Sequence, residues 1–169
     1  MNIILSILIE SFIFCIIFSL SLVLCTCGKR GIMAQIHNYP PKIIERVKKL
    51  GHLPEDYIKY GNKQKIIFIP IYLIVIIILP IIIGHVSTFW EAWIHSYAIL
   101  IIWNFYDAFI LDCLIFCHTK IFVIPGTEDM VDEYHNYWFH IKYALISIPT
   151  MVIIAIIPAR IIYGIIYLL

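Results

Sequence analysis

Four long apolar stretches constrain this chain more than any other feature. They cover about residues 2–24, 66–84, 92–116 and 141–169. As a helix rising about 1.5 Å per residue, roughly 20 residues cross the hydrocarbon of a bilayer. Of the chain, 62% is hydrophobic and 14% charged, whereas a soluble domain carries roughly a quarter charged residues. A single core cannot hide that much apolar surface, so lipid must solvate the remainder. The expected fold class is all-α: an integral membrane four-helix bundle, a single membrane domain over residues 1–169, with a short interfacial helix between spans 1 and 2. The isoleucine runs at 76–78 and 81–83 say membrane and nothing finer.

The first stretch lacks a basic n-region, and Lys29-Arg30 follow it, so it reads as a retained helix rather than a cleaved leader. The fourth is long for one span and holds Pro149 and Pro158, which predicts tilt or a kink. Basic residues set the orientation. Lys29, Arg30, Lys42, Arg46, Lys48, Lys49, Lys59, Lys63 and Lys65 lie in connection 25–65, and Lys120 and Lys142 flank connection 117–140, while the turn at 85–91 has none. Both connections are expected in the cytoplasm and both termini outside, in a multi-pass protein of the plasma membrane. Trp90 and Trp93 suit an outer aromatic belt, and Tyr134, Tyr137 and Trp138 an inner one.

Within the first connection, Pro40-Pro41 can open a helix that stops at Gly51. Ile43, Ile44, Val47 and Leu50 share one face. Lys42–Lys49 would then lie beside anionic lipid headgroups, with docking to a partner protein as the alternative. In the second connection Pro125-Gly126 marks a turn, and Thr127 can cap a short helix whose first turn holds Glu128 and Asp129.

The hexapeptide Pro125–Met130 (PGTEDM), with YDAFILD at 106–112, HNYPPKIIE at 37–45 and FHIK at 139–142, resembles a family of small uncharacterised multi-pass membrane proteins with a PGTEDM-type cytoplasmic loop. The resemblance implies four spans and draws attention to the same polar residues. It implies no reaction.

Ionisable groups inside a span usually face the bundle interior or a wet cavity. At about 100° per residue, Asn104 and Asp107 share a face of the third span, with Asp112 roughly 80° round from Asn104. Asp107, Asp112 and His140 are candidate catalytic acid–base groups. Glu128, Asp129 and His135 are candidate ligands for a divalent metal, the one cofactor the residues suggest, although no established ligand spacing is matched. The alternative is that each acid is separately satisfied in packing. Cys25, Cys27, Cys113 and Cys117 fall at similar depth and are read as inert or acylated thiols before a metal site. Glu10 and Arg160 lie roughly 12 and 13 Å in from the outer face by helical rise, a depth match that predicts a structural ion pair.

No P-loop, dinucleotide turn or nucleophile elbow is present, and membrane phosphate explains the basic connection without nucleic acid. Two functions remain: a binding or structural membrane component, alone, as a homo-oligomer or in a membrane complex, presenting an acidic and aromatic cytoplasmic loop; or a small membrane enzyme with a metal or acid–base site at the cytoplasmic interface, acting on a lipid or amphiphile.

Overall fold

The computed structural model describes residues 2–168; Met1 and Leu169, the ends of the expected domain, lie outside the described residues. Helices α1 (Ile3–Thr26), α2 (Pro41–Lys49), α3 (Tyr57–Leu79), α4 (Phe89–Tyr106), α5 (Val131–Tyr134), α6 (Tyr137–Ile154) and α7 (Ile156–Leu168) follow in order, and no strand occurs among the described residues. Four segments are long and apolar enough to cross a bilayer: Ile3–Thr26, Tyr57–Gly84, Phe89–Phe116 and the helical part of Val131–Leu168. Exposed isoleucines and leucines ring these segments. The protein is an all-α membrane bundle.

Three of the spans are irregular. Pro80 has no N–H to return to Ile76, and α3 ends there in a π-type turn, Pro80–Gly84. His85 then takes a left-handed conformation at φ 49°, and a capping box restarts the chain. Thr88 Oγ1 accepts from Glu91 N, and the Glu91 carboxylate accepts from the Ser87 and Thr88 amides. α4 continues as a π-helix over Asp107–Phe116. The fourth span breaks at Ala155, because Pro158 can neither donate to the Ile154 carbonyl nor accommodate it beside its ring. The kink expected from the prolines is thus an interruption.

α4 is central and packs on α1, α6 and α7. Ala92 and Ser96 of α4 and Ala155 and Ala159 are fully buried, so small side chains let the two backbones approach. Phe14, Phe18, Tyr72 and Trp103 fill the middle with edge-on rings, such as Phe18–Trp103 at 5.1 Å between centroids. α3 is the least enclosed span.

The two longer connections meet in a cap at one end of the bundle. The amphipathic face expected on α2 is present, but it turns into protein rather than lipid. Ile43 and Val47 are fully buried with Ile36, Tyr39, Ile124 and Tyr134. Lys42 reaches Glu133 at 2.5 Å, and Arg46 reaches Asp129 at 3.2 Å. Gly126 sits at φ +85°, which favours glycine, and a Cβ there would lie 2.6 Å from Leu50 Cδ1, so a larger residue would also have to push that side chain aside. Thr127 does not cap a helix. Its hydroxyl donates to Ile124 O at 2.7 Å and meets the Tyr134 hydroxyl at 2.8 Å, while Tyr134 also accepts from Ile124 N. Tyr134, placed by its sequence in an aromatic belt, is instead the buried hub of the cap. Connections 25–65 and 117–140 therefore lie on the same side. The opposite end gathers the start of α1, the α3–α4 turn and α7, where Phe89 and Tyr163 rings stand 6.5 Å apart.

Candidate functional site

A cavity of about 810 Å³ lies where the cap meets the bundle, walled by α1, the π-helical part of the third span, α6 and the residues around α2. That volume is within the range of roughly 300–1,000 Å³ typical of small-molecule sites. Most of its lining is apolar or aromatic. Its polar groups lie on two walls: Asn104, Tyr106, Asp107, Asp112, His140 and Ser147 from the third and fourth spans, and Ser19, Thr26, Gln35, His37, Asn38 and Tyr39 from α1 and the cap. Val23 of α1, Pro41 at the start of α2 and Tyr143 of α6 line the cavity and remain exposed, which marks where it opens.

The π-helix explains why both acids reach the wall formed by the third and fourth spans. On a regular α-helix, residues five apart point to different sides. In the π register the bond runs from i to i+5, as in Cys117 N to Asp112 O at 3.0 Å. Asp107 and Asp112 are five apart and become neighbours on one face. π-Bulges of this kind occur often at functional sites. His140 then approaches from the first turn of α6, with Nδ1 2.9 Å from Asp112 Oδ2. The histidine is 7% exposed, wedged between Phe116 and Phe139. Its Nε2 has no partner. Asn104 donates to Ala144 O at 2.9 Å and accepts from Ser147, which ties α4 to α6 beside the acids. Tyr106 shares a 2.8 Å hydrogen bond with Ser19 of α1. Above them Tyr39 donates to Phe122 O at 2.9 Å; burial, with Tyr134 nearby, holds its hydroxyl pKa above the ordinary value and keeps it a donor.

The three acid–base candidates, Asp107, Asp112 and His140, thus share one cavity. Glu128, Asp129 and His135 do not. Glu128 folds back to accept from Gly126 N at 2.8 Å, Asp129 faces Arg46, and His135 stacks in an outer group with His118 and Tyr137. Their expected gathering assumed a helix starting at Thr127, whereas that segment is a turn held by Tyr134. Among the described residues no three His, Cys, Asp or Glu side chains come close enough to hold a metal ion. The cysteines are free thiols, Cys117 buried and Cys27 exposed.

No family model, curated protein or solved structure matches the chain. Its chemistry must be read from the groups themselves.

At the far end, Glu10 Oε2 meets His95 Nδ1 at 2.7 Å, with side chains 0% and 2% exposed. Arg160, the partner expected from depth, instead sits over the Phe89 ring at 5.0 Å and is exposed. Close to the membrane surface a long guanidinium side chain can reach water, so it has no need of a buried carboxylate. His95 lies roughly 9 Å into its helix, a poorer depth match to Glu10 than Arg160.

Proposed function

We propose that this protein is a binding component of the membrane that holds an amphiphilic small molecule in the cavity beneath its cap. The observation that carries this is the convergence of Asp107, Asp112 and His140 on a single, mostly apolar cavity at the level where spans meet cap. Packing roles alone would leave each acid satisfied by a neighbour, with no shared space. The second connection then acts as a lid over the ligand, held down on α2 by Tyr134 and by the Lys42–Glu133 and Arg46–Asp129 pairs. Glu128, Asp132 and Trp138 stay on its outer surface, where a partner protein can reach them. The lysine and arginine bias supports a cap in the cytoplasm and termini outside. Lys48 and Lys49 remain exposed beside the bilayer, suited to anionic headgroups.

One observation favours a catalytic version. A carboxylate beside one imidazole nitrogen, with the other nitrogen free, is how a general base is oriented. Asp112 and His140 bring Oδ2 and Nδ1 to 2.9 Å, and an amphiphile bearing a transferable proton at Nε2 would be the substrate.

The binding reading is tested by native mass spectrometry of protein purified in mild detergent. Ala108 is buried on the cavity wall, so Ala108→Trp should fill the space. An amphiphile bound to the wild type and lost from a folded Ala108→Trp variant is the expected result. Wild-type protein that carries no amphiphile and takes up none when offered detergent-solubilised lipid extract would overturn it.

A further inference from the structure

The cavity is asymmetric in charge. Two carboxylates line it, and no lysine or arginine does. Asp112 has His140 beside it, while among the described residues no side chain forms an ion pair with Asp107. An unpaired carboxylate at this depth costs several kcal/mol, so it calls for a cationic or proton-donating partner. A second, independent group asks for the same thing. His140, its Nδ1 2.9 Å from Asp112 Oδ2, is more than nine-tenths buried and its Nε2 is unpartnered; in the neutral tautomer protonated at Nδ1, Nε2 is an acceptor. Trp103, Tyr106 and Phe116 add ring faces that attract an ammonium. Leu22, Ile44, Leu111 and Ile115 complete the lining with hydrocarbon, which suits an attached alkyl chain.

The route in is also visible. α1 packs on α3 and α4, and α6 packs on α4, its π-helical extension and α7. α1 and α6 flank the cavity without packing closely on each other. The exposed lining residues Val23 and Tyr143 stand on the two sides of that gap. Val23 is three residues from the cap end of α1 and Tyr143 six from that of α6, roughly 5–9 Å into the bundle by helical rise. This is headgroup depth.

We infer that the cavity takes a single-chain amphiphile with a protonated primary amine, admitted sideways from the cap-side leaflet between α1 and α6, its ammonium donating to Asp107 and to His140 Nε2. This rests on the amphiphile-binding reading and names its ligand class. Trp103 is the probe. In a Trp90→Phe, Trp93→Phe, Trp138→Phe background it is the sole tryptophan. Chain-brominated long-chain amine, alcohol and carboxylic acid are titrated into the detergent-solubilised protein and Trp103 quenching is followed. The amine should quench at a concentration about tenfold or more below the alcohol, the worth of one charge-assisted hydrogen bond, and the acid should be weakest. Asp107→Asn should erase the preference for amine over alcohol; the wild-type ranking stands as a test even where that variant folds poorly. Equal quenching by all three compounds, or an amine preference that survives Asp107→Asn, sinks the amine assignment while leaving an amphiphile site. Absence of quenching by any of them sinks the binding reading as well.

Discussion

Replacing Glu10 with alanine should destabilise the bundle more than any other single polar substitution in the spans. The carboxylate is fully buried, 2.7 Å from a histidine that is 2% exposed. Its second oxygen, Oε1, has no partner, so the pair is held by one contact and by enclosure. Removing one member of a buried pair leaves the other uncompensated, which costs about 3–5 kcal/mol. Glu10→Ala and His95→Ala should each fall in that range, and the double variant should be far less destabilised than their sum, because it strands neither group. Gly84 reports on the same enclosure: a Cβ there would lie 2.8 Å from His95 Cε1 and 2.9 Å from Glu10 Oε1, so Gly84→Ala should destabilise by crowding the pair with both partner residues unchanged. Arg160→Ala is the control. It should change stability by less than about 0.5 kcal/mol, as expected of a surface position. Equilibrium unfolding of detergent-solubilised protein by a denaturing detergent, followed by tryptophan fluorescence, measures all five. If Arg160→Ala matched Glu10→Ala and His95→Ala were silent, the assignment of partners would be refuted.

Three further outcomes follow from the cap. Tyr134→Phe strands Ile124 N and takes one partner from Thr127, so cap unfolding by hydrogen exchange should become easier by about 1–3 kcal/mol, with little change in the spans. His37, half-buried against Gly61 and without a partner at Nδ1, has its pKa lowered by burial and, less, by Lys65. The folded cap therefore binds fewer protons than the unfolded chain, and its stability is complete above the ordinary imidazole value of 6.5 and is lost as pH falls below it. The opening equilibrium over residues 31–38, taken from exchange rates divided by the intrinsic rate at each pH, should grow on acidification and stay flat in His37→Gln; an unchanged wild type would contradict this. For orientation, a membrane-impermeant maleimide on intact cells should label Ser87→Cys, in the α3–α4 turn, and spare Cys27 at the cap; the opposite pattern reverses the topology.

The spans were legible because their signal is chemical and local: about 20 apolar residues need no partner to be recognised. The amphipathic α2 was legible for the same reason, but what its face meets was not. Ile43 and Val47 would look alike against lipid or against Tyr134. Asp107 and Asp112 could be singled out because charge in a span is costly, and His140 because its connection lies directly below them; the angular argument at about 100° per residue gave one broad polar sector but not the π register that makes the two acids neighbours. Pro80 and Pro158 announce that hydrogen bonds must be broken, but they do not state the register that replaces them. Glu10 chose His95 over Arg160 on enclosure, a property of the packed bundle that depth along a helix does not contain. Thr127 failed as a helix cap because a tyrosine seven residues later takes its hydroxyl, a contact that spacing does not specify.

Where the spans depart from α-helix is itself informative. Irregular backbone at membrane depth survives only where it is buried in protein or lines a cavity, since lipid offers nothing to bond its free groups. The π-turn at Pro80–Gly84 lies against the Glu10–His95 pair, and its glycine leaves the room that pair occupies. The break at Ala155 lies in the α4–α7 contact, where alanines let the backbones close in. The π-helix at Asp107–Phe116 has no proline to cause it, and α6 packs along it. What it does is turn Asp107 and Asp112 onto one wall of the cavity. The first two irregularities follow from prolines and are accommodated by packing; the third, which has no proline, sets the two carboxylates on the wall they share with α6.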